Sequence, residues 1–155
     1  MVLITNLDLA PDVRLAFSPL TPDDLESVFG VFSDPDTWRH LHVGRHNTRE
    51  QSRRIVDDAI KSRREHGIGQ WAVRVGDRGS DDALRAGTFV GTGGVNMTPA
   101  PVWNLGYRLS PATWGRGFAT EIAIAAVVAV RAQSDSVARS RQSGAGILAV
   151  AKLTT

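Results

Sequence analysis

Pro111-Ala112-Thr113-Trp114-Gly115-Arg116-Gly117-Phe118-Ala119-Thr120-Glu121 joins a strand-like run, residues 102–109, to a helix-like run, residues 120–132. Two glycines sit one residue apart at the junction, and an alanine follows. Glycine adopts positive φ without steric cost and lets a ligand approach the backbone. The first N–H groups of a helix have no acceptor inside it, and the helix dipole makes that end positive. Strand, glycine turn and helix N-terminus together form an anion site suited to a phosphate or pyrophosphate. A turn that merely connects two elements is the alternative, and it stays open at this point. A dinucleotide fingerprint would need a third glycine where Thr120 stands. A P-loop would need Gly-Lys before Ser or Thr, and the only lysines are Lys61 and Lys152.

Upstream, residues 102–109 alternate. Trp103, Leu105, Tyr107 and Leu109 share one face; Val102, Asn104, Gly106 and Arg108 share the other. Trp103 reads as core, and Tyr107 as either core or ligand contact. Gly106 in mid-strand predicts a bulge or a close backbone approach. Downstream, residues 122–130 are apolar on every side, which predicts a fully buried helix. Glu121 in its first turn complements the dipole.

Residues 13–20 read as a strand. Thr21 is a helix cap with Pro22 at the first helical position and Asp23 and Asp24 in the first turn, and that helix runs to about Phe32. Asn47 or Thr48 caps a second helix, with Glu50 placed to close a capping box with Asn47. Ile55, Val56, Ala59 and Ile60 stripe it, and His66-Gly67 ends it. Residues 70–75 alternate as a strand, 76–87 form a polar hairpin loop, 88–97 form the next strand, and 98–101 turn into 102–109. Three histidines, His40, His42 and His46, lack the spacing of a zinc site, so they read as solvated and no metal is expected. Arg49, Arg53, Arg54, Arg63 and Arg64, interleaved with acids, read as a solvated helix face.

The chain has 155 residues, enough for one domain with a real core. Apolar content of 42% and charged content of 22% are ordinary for a globular protein. Without cysteine there is neither a disulfide framework nor a thiol nucleophile. A net charge of +2 gives no reason to expect a nucleic-acid partner. No segment is long and apolar enough to span a bilayer, and the first ten residues carry no basic cluster, so no membrane contact and a cytoplasmic location are expected.

The run Trp114-Gly115-Arg116-Gly117-Phe118-Ala119 resembles the pyrophosphate loop of the GNAT superfamily, the acetyl-CoA-dependent N-acetyltransferases, whose signature is Gln/Arg-x-x-Gly-x-Gly/Ala. With Trp first and Ala-Thr-Glu after it, the run looks like the branch that acetylates N-terminal amines of ribosomal proteins. Arg14-Leu15, Pro19-Leu20-Thr21-Pro22-Asp23-Asp24-Leu25, Ser33-Asp34-Pro35-Asp36-Thr37-Trp38, Gly91-Thr92-Gly93-Gly94-Val95 and Leu105-Gly106-Tyr107-Arg108-Leu109-Ser110-Pro111 resemble that branch in the same order, from about residue 13 to 132. The resemblance implies an α/β fold with a central, mostly antiparallel, twisted sheet and helices on both faces. It implies acetyl transfer from acetyl-CoA to a primary amine, a protein N-terminus or a small molecule. The cofactor contacts it implies are Leu109, Trp114, Gly115, Arg116, Gly117, Phe118, Ala119 and Thr120, with Arg116 as an exposed phosphate partner. Asn104 and Tyr107 are the implied substrate contacts, and the segment holding the histidines would border the acceptor pocket. In the family the fourth strand splays from the next one and the pantetheine arm lies in the gap.

Two departures limit the carry-over. The branch often has Glu where this chain has Asn104, and an amide cannot take a proton from an attacking ammonium; no catalytic residue is named. The resemblance also fades after Ala132. Residues 1–132 are read as the acetyl-CoA-binding domain and 133–155 as an atypical tail, disordered in its first half, with a short strand over 146–153. A truncated or frameshifted C-terminus is the expectation. The alternatives are a non-catalytic CoA-binding remnant, an incomplete acetyltransferase fragment, and a homodimer that completes each sheet with its partner's tail.

Overall fold

Trp71, Val73 and Val75 point to one side of strand β2 (Trp71–Val75) and Ala72 to the other, and all four are buried. A strand apolar on both sides needs cover on both faces. The computed structural model, which describes residues 13–40, 43–140 and 152–153, supplies that cover. β1 (Leu15–Pro19), β2, β3 (Phe89–Met97) and β4 (Trp103–Leu109) form an antiparallel sheet in sequence order. A short β5 (Lys152–Leu153) lies parallel to β4 at its outer edge.

Helices α1 (Leu25–Ser33) and α2 (Arg49–His66) cover one face. Leu20, Val28, Val31, Phe32, Val56 and Ala59 pack there with Ala72. Helix α3 (Phe118–Ser140) covers the other, where Phe118, Ile122, Ala125, Ala126 and Ala129 meet residues of β1 to β4. Fully burying one such Val, Leu or Ile contributes about 1.5–3 kcal/mol. Alanines on α3 and glycine on β3 allow close contact: a Cβ at Gly93 would lie 2.6 Å from Ile122 Cγ2. The expected mixed fold with helices on both faces is what the structure shows.

Several local expectations need correction. α3 is not buried all round. Ile124 and Val127 are 56% and 42% exposed, because only one stripe of a helix can face a sheet. It also continues past Ala132 through Gln133 to Ser140, so the first part of the expected tail is helical. Arg139 stands in its last turn, where the dipole favours a cation. Of the strand expected over 146–153, Lys152–Leu153 is strand; the rest of it, like any truncation point beyond 140, lies outside the described residues. Gly106 carries no bulge, for β4 pairs in unbroken register with β3 and Gly106 faces Gly94. The register slips instead between Val73 and Arg74, where Val73 pairs with Gly91 and Arg74 with Phe89. The box at the start of α2 is closed by Gln51, whose Oε1 accepts the N–H groups of Asn47 (2.7 Å) and Thr48 (3.1 Å). Thr48 is the cap, which puts Gln51 rather than Glu50 at the third helical position.

Candidate functional site

The end of β4 sets the geometry. Ser110 N–H donates to Val90 O at 2.8 Å, which points its peptide group toward β3. Successive residues of a strand aim their peptide groups to opposite sides, so those of Leu109 and Tyr107 face the outer edge. On that edge Lys152 and Leu153 of β5 pair with Asn104 and Leu105. Among the described residues, no strand pairs there with residues 106–109. The Trp114 indole N–H donates to Leu109 O at 3.1 Å and holds the aromatic ring beside the opening, 49% exposed.

The chain then turns tightly. Thr113 is buried, and its hydroxyl donates to Ser110 O (2.7 Å). Gly115 (φ 76°) and Gly117 (φ 77°) are both left-handed. This conformation costs other residues roughly 1–2 kcal/mol. Glu121 N–H bonds Gly117 O at 3.3 Å. The N–H groups of Phe118, Ala119 and Thr120 precede that bond and have no acceptor within the helix.

Arg14 reaches the start of α3. Its backbone N–H and its Nε donate to the two Glu121 carboxylate oxygens at 2.8 and 2.6 Å. Its guanidinium lies over the Phe118 ring, 5.0 Å from the centroid, and its Nη2 is 3.3 Å from where a Gly117 Cβ would stand. Glu121 therefore does more than complement the dipole: it ties β1 to the start of α3.

A cavity of about 510 Å³ opens between this turn and the segment before α2, and Thr37, His40, Tyr107, Arg108, Leu109, Thr113, Trp114, Gly115, Gly117, Phe118 and Ala119 line it. Seven of the expected contacts thus converge: Tyr107, Leu109, Trp114, Gly115, Gly117, Phe118 and Ala119. Thr120 is exposed at the turn and does not line the cavity. Nor does Arg116, whose Nη1 pairs with Asp81 Oδ2 at 2.6 Å, pinning the 76–87 loop to the turn. Arg116, expected as an exposed phosphate partner, is engaged here in a surface ion pair. The Arg116 hydrogen bond, then the N–H groups of Leu84 and Ala83, hold the Asp81 carboxyl below its ordinary value. Asn104 sits opposite Asn96 in the β3–β4 ladder and does not line the cavity.

On the far wall, the parts played by Arg108 and Trp38 were not read from the sequence. Arg108 stacks on Trp38, 3.7 Å from the ring centroid, and its Nη1 reaches Thr37 O at 3.4 Å. Burial holds its pKa below the usual arginine value. His46, read as solvated, is instead buried. Its ring stacks on Phe32 (4.7 Å), its Nδ1 lies 2.8 Å from Ser52 Oγ, and burial, then the Arg108 charge, lower its pKa. His40 is exposed on the cavity rim, and His42 lies outside the described residues. Among the described residues, no group of three or more His, Cys, Asp or Glu is placed to hold a metal ion. Nor, among them, is any helix long and apolar enough to cross a membrane.

A family model described as an acetyltransferase (GNAT) domain matches residues 14–143. Among solved structures, an acetyltransferase from Agrobacterium tumefaciens is similar at TM-score 0.58 and 23% identity, over 81% of this chain and 66% of that one. A GNAT-family acetyltransferase from Bacillus anthracis gives 0.52 and 19%, over 81% and 66%. A spermidine N-acetyltransferase from Vibrio cholerae, solved with CoA and spermine, gives 0.54 and 10%, again over 81% and 66%. The chain therefore spans just under two thirds of the length of these relatives. At such identities the likeness is one of fold.

Proposed function

Because the chain belongs to the GNAT acetyltransferase domain family, we propose that it transfers an acetyl group from acetyl-CoA to a primary amine. The observation that carries this reading is the junction of three features at one cavity: a left-handed glycine turn, a helix N-terminus and an open strand edge. The turn and the Phe118, Ala119 and Thr120 N–H groups suit the CoA pyrophosphate. The outward peptide groups of Tyr107 and Leu109 suit the pantetheine arm, and the Tyr107 N–H suits the thioester oxygen in the transition state.

In the reaction the amine nitrogen attacks the thioester carbon. The N–C bond forms and the C–S bond breaks. Of the two protons lost by the ammonium, one ends on the CoA thiol and one in solvent. Bringing the two reactants together in the right orientation is the main contribution of such a site. Asn104 lies outside the cavity lining, and its amide could not accept the proton in any case. The finer assignment, to the branch acting on ribosomal-protein N-terminal amines, rests on Trp114-Gly115-Arg116-Gly117-Phe118-Ala119-Thr120-Glu121.

Thiol release from acetyl-CoA, followed across pH with a panel of peptide and small amines, tests the proposal. Amine-dependent release that rises with pH as the acceptor deprotonates is expected. Calorimetry on the same chain separates the alternatives: CoA binding without release at any pH would identify a non-catalytic CoA-binding remnant.

A further inference from the structure

Arg108 is a cation without a counter-ion among the described residues. Its partners there are the Trp38 ring, stacked at 3.7 Å, and Thr37 O, at the long end of hydrogen bonding at 3.4 Å. The acids of the neighbouring segment are engaged elsewhere. Asp34 accepts the Asp36 N–H, and Asp36 pairs with Arg39 at 2.5 Å. Thr37, 6% exposed, lines the same cavity, and its hydroxyl has no hydrogen-bond partner among the described residues. A half-buried guanidinium has up to five donors to satisfy. Together with a buried hydroxyl lacking a partner, it makes a site short of one acceptor-rich anion, since buried polar groups are normally paired.

The place of this site indicates what the anion belongs to. Arg108 and Asn104 lie on the face of β4 opposite Trp103, Leu105 and Leu109, whose side chains pack with α3. The glycine turn lines the same cavity and is assigned above to the CoA pyrophosphate, which leaves Arg108 and Thr37 for a second anion. Planar, forked recognition by arginine fits a carboxylate.

We propose that the acceptor amine carries a carboxylate close to the reacting nitrogen, as an amino acid or an acidic peptide N-terminus does, and that Arg108 and Thr37 hold that carboxylate. This inference rests on the acetyl-transfer reading of the cavity. It further implies that a polycationic acceptor is disfavoured, because Arg108 repels it.

The test needs no turnover. Trp38 stacks on Arg108, so ligand binding there is readable as a change in tryptophan fluorescence, with N-acetyl-aspartate and its diamide as matched probes. The carboxylate probe is expected to bind at least tenfold tighter than the diamide. Arg108→Gln should erase the difference and Arg108→Lys should keep part of it, with circular dichroism checking that each variant folds. If neither variant folds, the wild-type comparison of the two probes decides alone.

Equal affinities, or displacement of the carboxylate probe by CoA, would overturn the proposal, the latter because the anion site would then be CoA's own. In thiol release, aspartate and a Ser-Glu dipeptide amide should outrun spermidine and a Ser-Gln dipeptide amide by about tenfold. Aspartate compared with the Ser-Glu dipeptide amide reports whether the carboxylate comes from a free amino acid or a peptide. Turnover without any preference for anionic acceptors would sink this inference and leave acetyl transfer standing, whereas absence of CoA binding would sink the acetyl-transfer reading.

Discussion

His46 sits between Phe32 and Ser52 and within the field of Arg108, and burial followed by that charge lowers its pKa from the ordinary 6.5. The unfolded chain therefore binds a proton that the folded chain refuses. Stability rises with pH wherever the unfolded state holds more protons. The contribution is thus complete above about pH 6.5 and is lost as the pH falls below it. Urea midpoints measured from pH 7.5 down to 5.0 should drop more steeply for the wild type than for His46→Gln, which does not titrate there. Parallel curves would mean that His46 titrates alike in the folded and unfolded states. A local reading treats His40, His42 and His46 alike, because nothing in their spacing tells a buried ring from an exposed one. The backbone bond from His46 N–H to Phe32 O, 3.0 Å, draws this one residue inward.

At the scale of elements, the turn between β4 and α3 was legible in the sequence. Glycine spacing reports backbone conformation directly, and both Gly115 and Gly117 are left-handed. Gly117→Val would add a β-branched side chain at φ 77°, 3.3 Å from Arg14 Nη2. The expected cost is roughly 1–2 kcal/mol of stability, together with a loss of CoA affinity of tenfold or more, because the new methyl groups crowd the helix N-terminus. Urea unfolding checks the first part and calorimetric titration of the folded variant the second, where an unchanged dissociation constant would place the pyrophosphate elsewhere. The face of α3 was less legible. Residues 122–130 are so uniformly apolar that periodicity carries no phase. The sheet chooses the stripe Phe118, Ile122, Ala125, Ala126 and Ala129 by contact and leaves Ile124 and Val127 outside.

Across the whole molecule, one sheet is shared by clusters on its two faces, and the tryptophans sample both. Trp71 and Trp103 pack with α3, whereas Trp38 packs with α1 and α2. Neither face keeps its cover if the strands separate. Unfolding should therefore be a single transition in which tryptophan fluorescence and far-ultraviolet circular dichroism coincide. Two separated midpoints would show that the α1–α2 face opens independently of the α3 face.

The sequence by itself determined what depends on neighbours along the chain: the cap at Thr21, the stop at Gly67, the alternation of β4 and the glycine turn ahead of α3. Each is set by the conformational limits of a few adjacent residues. Only the tertiary structure decided which charges meet. Arg14 reaches Glu121 across 107 positions, Arg108 reaches Thr37 across 71, and Arg116 is drawn to Asp81 across 35. No local pattern encodes such pairs, because they form only when the fold brings together segments far apart in the chain. An arginine alone in a sequence looks the same whether it pairs with a carboxylate or stacks unpaired on a tryptophan, and the fold makes that distinction by surrounding it.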